Sequence, residues 1–117
     1  MPFLRAQRVS SLIQERMGWI LEREIELPGA LITITGVNVR KKLEEARVMV
    51  TVFPSEKAAE TLNLLGRRAP YLEHLLIEQI HIKPMPKIVF ELDRGPENAA
   101  RIEKALLEDN NKLGTRD

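Results

Sequence analysis

Cysteine is absent from this 117-residue chain, which excludes disulfides, thiolate metal sites and a cysteine nucleophile. Aromatic residues are scarce, with one Trp, one Tyr and three Phe, so few rings are on hand to stack against bases. Charge of one sign is scarce too. Eighteen basic residues against seventeen acidic leave a formal net charge of +1, so any nucleic-acid binding must come from a local patch rather than a global field. No apolar run approaches a membrane span, and no apolar stretch with a small-residue cleavage site follows Met1. The only histidines are His74 and His81, and Glu73 and Glu78 beside them lie in a helical pattern typical of a wet surface. A metal site or acid–base pair is not expected there. Nor does any Gly-x-Ser-x-Gly, phosphate-loop or zinc-protease spacing occur. These absences lead us to expect a cytoplasmic, monomeric, non-enzymatic protein with no metal, cofactor, small-molecule substrate or membrane partner.

With 44% hydrophobic and 30% charged residues the composition is that of a globular protein. We read residues 1–117 as one domain, in which 108–117 form a polar, frayed C-terminal tail. Val9, Leu12, Ile13, Met17, Ile20 and Leu21 recur at helical spacing between about Arg5 and Glu26, with Arg8, Glu15, Glu22 and Arg23 off that stripe. Leu27-Pro28-Gly29 stops this helix. Leu31 to Val39 is rich in β-branched residues, and Ala46, Val48, Val50 and Val52 alternate with Arg47, Met49, Thr51 and Phe53, which predicts two strands in an antiparallel hairpin. Ser55 follows Pro54 as a cap for the next helix. Ala58, Ala59, Leu62 and Leu65 form the inner stripe of that helix, and Leu72, Leu75, Leu76 and Ile80 continue it. Pro84-Met85-Pro86 forces extended chain into a third strand, Lys87 to Leu92. A helical crossover before that strand predicts parallel pairing with one of the first two. Pro96 then opens a last helix marked by Ala99, Ile102, Ala105 and Leu106.

The most informative local feature is Gly66-Arg67-Arg68-Ala69-Pro70, in the middle of the second helical pattern. Pro70 has no N–H for the carbonyl four residues earlier and its ring crowds that carbonyl, so the helix is expected to end or kink there. A second helix starting near Pro70 would aim free N–H groups at an anion such as phosphate, with two guanidinium groups beside it.

The predicted class is α+β, in the order helix, strand, strand, kinked helix, strand, helix, with a three-stranded sheet covered by helices on one face. That order is the one of bacterial-type (type II) KH-like domains. In KH domains a GxxG turn between two helices clamps nucleic-acid backbone. Gly66-Arg67-Arg68-Ala69 occupies that place, with the second glycine absent.

Short signatures in the right order extend the likeness. Arg5, Arg8, Val9, Ile13 and Leu21 in the first helix, Thr33-Ile34-Thr35-Gly36-Val37-Asn38-Val39 with Leu43, Ala46 and Val48 in the hairpin, and Pro86-Lys87-Ile88-Val89-Phe90 with Asp93, Arg101 and Ile102 at the end resemble the ribosome-binding factor A family. The resemblance covers Arg5 to about Leu107. It implies a ribosome assembly factor that binds the small (30S) ribosomal subunit precursor, assists late 16S rRNA processing and supports growth in the cold. The chain departs from the family pattern in four places. Leu27-Pro28-Gly29 stands where the family usually has Asp-Pro-Arg. Arg40 and Lys42 stand in place of a serine and an aspartate of the hairpin loop, and Arg68-Ala69-Pro70 replaces a small-x-glycine kink. Glu73 falls where an arginine is common.

The expected RNA-backbone contacts are therefore Arg67, Arg68, Arg40, Lys41, Lys42 and Arg47, with Tyr71 as a stacking residue and Gly66, Ala69 and Pro70 forming the kink. Each has a plainer reading. Arginines near a helix end stabilise its dipole, charge runs are usually solvated, and Arg47 on an outward strand face keeps a sheet soluble. Trp19 on a helix is more often a core or rim residue than a stacking one. Two other functions fit the pattern less well: a helix-turn-helix protein reading duplex DNA, and a protein-binding module or small enzyme.

Overall fold

The computed structural model describes residues 2–40, 44–82 and 85–95. Among them the chain runs α1 (Pro2–Glu24), β1 (Leu31–Val39), β2 (Glu45–Phe53), a single 3-10 turn (Ser55–Lys57), α2 (Ala58–Gln79) and β3 (Lys87–Leu92). The expected final helix from Pro96, the tail 108–117 and the loop lysines Lys41 and Lys42 lie outside the described residues.

Both hairpin strands form where β-branched residues and strict alternation predict them. β1 pairs antiparallel with β2, and β3 pairs parallel with β2 on its other side, giving the strand order β1-β2-β3. Leu27 to Ala30 makes the turn into β1. The Ala30 N–H donates to the Leu27 carbonyl at 3.0 Å, and Gly29 at the third position takes a φ of 80°, which only glycine adopts cheaply. Ser55 does not cap α2 as expected. It opens the 3-10 turn, and neither that turn nor α2 has a side-chain cap.

Alternation sends one set of strand residues to the core. Val39, Ala46, Val48, Val50 and Ile88 are buried against Val9, Ile13, Met17, Ile20 and Leu21 of α1 and Leu65, Leu72 and Leu76 of α2. The two described helices thus form one layer on one face of the sheet, and the opposite face carries Thr33, Thr51, Asn38, Arg47 and Glu91. Leu31 and Phe53, paired at the end of that face, are exposed.

Two carboxylates fix the ends of this arrangement. Glu73 on α2 accepts a hydrogen bond from the Ile88 N–H of β3 at 2.8 Å, so the outer edge of β3 is pinned to the helix that carries Pro70. Ile88 is buried, and an amide left there without an acceptor costs about 1–3 kcal/mol. Glu73→Ala should lower the unfolding free energy by that amount in urea titrations, whereas Glu73→Gln, which keeps an acceptor oxygen, should lose less than half of it.

At the far end of the sheet, register shifts between Ile34 and Gly36, leaving Thr35 as a bulge. The Thr35 hydroxyl donates to Asp93 Oδ2 at 2.7 Å and the Gly95 N–H to Asp93 Oδ1 at 2.9 Å, while the Asp93 N–H donates to the Val50 carbonyl at 2.7 Å. Asp93 therefore ties all three strands together just after β3. The Thr35 hydroxyl first, then the Gly95 amide, hold its carboxyl below the usual 3.8. A carboxyl with a depressed native pKa stabilises the fold above its unfolded pKa, and that stability disappears as pH falls through the native value. Asp93→Asn should accordingly be less stable than the natural chain at neutral pH, with the difference in urea midpoint closing below pH 3.8.

Candidate nucleic-acid interface

Of the two outcomes that proline allows, ending the helix or bending it, α2 does not end. Pro70 sits inside one helix of 22 residues, so the expected second N-terminus with its free N–H groups does not form. The helix-turn-helix alternative loses its turn by the same observation. Two features explain how α2 survives. The clash of the proline ring falls on the carbonyl of residue 66, a glycine, whose backbone yields most easily. Leu65 before the proline and Leu72 and Leu76 after it are fully buried, so tertiary packing holds both halves in line. Among the described residues no group lies within 4 Å of a side chain built on Gly66, so this glycine serves no close approach to any of them.

Around Pro70 the predicted residues fall on the outer side of α2. Gly66, Arg67, Pro70 and Tyr71 are exposed, and Arg68 and Ala69 are half-buried. The Arg68 guanidinium lies over the Tyr71 ring, 5.1 Å from its centroid, one helical turn away. α1 repeats the device. Its Arg16 guanidinium lies over Trp19 at 5.2 Å, again three residues on. Arg5, Arg8, Leu12, Arg16, Trp19 and Arg23 follow one another at steps of three or four, so one flank of α1 carries four arginines and the tryptophan. Gln79 of α2 joins Arg16, Trp19, Glu22 and Arg23 around one cleft, which places this flank on the α2 side of the helical layer.

Charge pairing separates the helical layer from the hairpin. Among the described residues, none of Arg5, Arg8, Arg16, Arg23, Arg67 and Arg68 has a carboxylate partner; the Nε atoms of Arg16 and Arg68, like that of Arg47, are buried without a hydrogen bond. Arg40, by contrast, sits 3.4 Å from Glu45, and Arg47 lies 3.7 Å from both Glu45 and Glu91. Exposed pairs of this kind contribute little to stability. They do offset the positive field that a phosphate would meet at Arg40 and Arg47. Elsewhere, His74 pairs with Glu78 at 3.1 Å along one helix face, as a wet surface would. Among the described residues no group of three or more His, Cys, Asp or Glu could hold a metal ion. No helix there is long and apolar enough to cross a membrane.

The structure thus brings together Arg67, Arg68 and Tyr71, leaves Arg40 and Arg47 on acids, and adds the α1 flank. That flank has a signal in the three-and-four spacing of its arginines, which runs alongside the stronger apolar stripe. Glu73 was visible only as a departure, and its bond to β3 had no local sequence signal.

Comparison with known proteins follows the same lines. The profile of the family "Ribosome-binding factor A" matches residues 5–106. A ribosome-binding factor A from Ectopseudomonas mendocina is 35% identical over 116 residues, covering 92% of this chain and 90% of the relative. One from Chlorobium phaeobacteroides is 35% identical, covering 90% and 93% respectively. Among solved structures, ribosome-binding factor A from Thermus thermophilus superposes with a TM-score of 0.66 at 21% identity, over 77% of this chain and 98% of that one. The same Thermus protein, as fitted into the cryo-EM map of its complex with 30S, gives a TM-score of 0.63 at 22% identity, over 72% and 90%. These neighbours share the KH-like α+β fold.

Proposed function

This chain belongs to the ribosome-binding factor A family, and from that premise we propose that it is a non-enzymatic assembly factor that binds the small ribosomal subunit. It contacts 16S rRNA through phosphates on the outer side of its helical layer and assists late processing of that RNA. The observation that carries the contact is the set of unpaired guanidinium groups at Arg67, Arg68 and the α1 flank, against the acid-paired Arg40 and Arg47. Lys41 and Lys42 extend the basic set from the hairpin loop.

Phosphate contacts position an RNA without reading it, which suits a factor that recognises a folded particle rather than a short sequence. Arg68-Ala69-Pro70 takes the place of the family's small-x-glycine kink, and Arg67 and Arg68 supply charge where a KH turn would supply backbone amides. The protein acts as a monomer in the cytoplasm, needs no cofactor and supports growth in the cold.

A sucrose-gradient profile of the tagged protein tests this reading. We expect it with free small subunits and absent from translating ribosomes. Recovery only at the top of the gradient would count against it, as would a preference for duplex DNA over structured rRNA in competition.

A further inference from the structure

We propose that the cleft between α1 and the end of α2 takes one unstacked nucleotide of single-stranded RNA and favours a base that carries an exocyclic amine. This inference rests on the RNA-binding reading above and adds a base contact to it. The cleft has a volume of about 440 Å³ and is lined by Arg16, Trp19, Glu22, Arg23 and Gln79.

Trp19 is 53% exposed, an unusual position for the one tryptophan of the chain, whose burial in the core would contribute far more to stability. The Arg16 guanidinium over it makes a flat, cationic platform, and both planes are surfaces on which bases stack. Arg16 and Arg23 lie on the same flank two turns apart, roughly 10 Å along the helix axis, so a phosphate on either side of the nucleotide meets a guanidinium. Glu22, Arg23 and Gln79 have no side-chain partner among the described residues, and the contact of Arg16 there is the Trp19 ring itself.

Glu22 decides the base. A carboxylate repels backbone phosphate and only accepts hydrogen bonds, so its best partner in such a cleft is the exocyclic amine of adenine, cytosine or guanine; uracil offers only its ring N3–H, flanked by two carbonyls that repel the carboxylate. The Gln79 amide both donates and accepts, and pairs with the rest of the base edge.

Because Trp19 is the only tryptophan, its fluorescence in the full chain reports directly on the cleft. Cytidine and uridine oligonucleotides are the natural comparison, since the two bases differ chiefly in amine against carbonyl. Oligo(C) should quench Trp19 saturably and bind roughly tenfold more tightly than oligo(U), the effect of one hydrogen bond to a charged group. Glu22→Ala, at an exposed position, should erase that preference, and Trp19→Ala should weaken labelled oligo(C) in anisotropy by about tenfold or more. Absence of saturable quenching, equal affinity for the two oligonucleotides, or a preference that survives Glu22→Ala would overturn the proposal. Sedimentation of the same preparations with small subunits separates the two readings. Retained co-sedimentation without quenching removes the cleft alone, and loss of both removes the RNA-binding reading with it.

Discussion

Replacing Arg67 and Arg68 together with glutamate is expected to weaken binding to small ribosomal subunits by roughly 60-fold or more at 0.1 M salt. Each phosphate contact contributes about −0.9 to the slope of log affinity against log salt, so two contacts contribute about −1.8, which is that factor between 0.1 M and 1 M. Reversal of charge adds repulsion to the lost attraction. Both residues have the freedom to serve phosphate, because neither is held by a carboxylate among the described residues. Arg67 is exposed, whereas the stem of half-buried Arg68 packs on α2 and its head lies over Tyr71. A small part of the effect of Arg68→Glu is therefore structural, and Arg68→Gln, which retains most of the stem, separates the two contributions. Thermal melting of each variant serves as the control, with a shift of only a few degrees expected. Binding affinity unchanged in the double variant would remove this turn of α2 from the interface.

Leu72→Ala should destabilise the protein by about 2–5 kcal/mol, the usual cost of opening a cavity at a fully buried leucine. Its position gives the result a second meaning. Pro70 removes one hydrogen bond from α2 and strains the carbonyl of Gly66, a local cost of about 3 kcal/mol in an ordinary helix. Packing at Leu65, Leu72 and Leu76 is what offsets it. Introducing Pro70→Ala into the Leu72→Ala variant should recover about 1–3 kcal/mol by restoring that hydrogen bond, a coupling readable in a double-mutant cycle by urea unfolding. A loss below about 1 kcal/mol for Leu72→Ala would mean that some other contact holds the second half of α2.

That contest between Pro70 and its buried neighbours also marks where reading from sequence reached its limit. β1 and β3 emerge with the expected bounds, because β-branched residues and period-two alternation are local signals that agree with the sheet built from them. Parallel pairing of β3 followed from the length of the crossover alone. α2 went otherwise. Proline is the strongest local breaker, yet helix continuity depends on leucines of a helix that packs on α1, β2 and β3. Ser55 failed as a cap for a related reason, since a 3-10 turn consumes the first residues after Pro54 before α2 begins.

At the candidate site the difference is one of pairing. Arg40, Arg47, Arg67 and Arg68 are equivalent as letters, and the sequence places Glu45 near two of them without saying that it reaches both. The register of β2 against β3 brings Glu91 within reach of Arg47, a juxtaposition that no spacing along the chain encodes. Glu73, which departs from the family pattern, turns out to hold β3, so its carboxylate is turned toward the sheet edge and away from the arginine face.

Unpaired cations on the helical layer, rather than the acid-paired arginines of the hairpin, are proposed to hold the RNA, and that is the claim on which the proposed function turns. Its most direct test is the salt dependence of small-subunit binding for three proteins: the natural chain, the Arg67→Ala/Arg68→Ala variant and the Arg40→Ala/Arg47→Ala variant. The helical-layer variant should lose about one unit of slope per arginine, roughly two in all, and the hairpin variant should keep the natural slope within about half a unit. A natural slope in the helical-layer variant together with a reduced one in the hairpin variant would contradict the claim and move the interface to the hairpin.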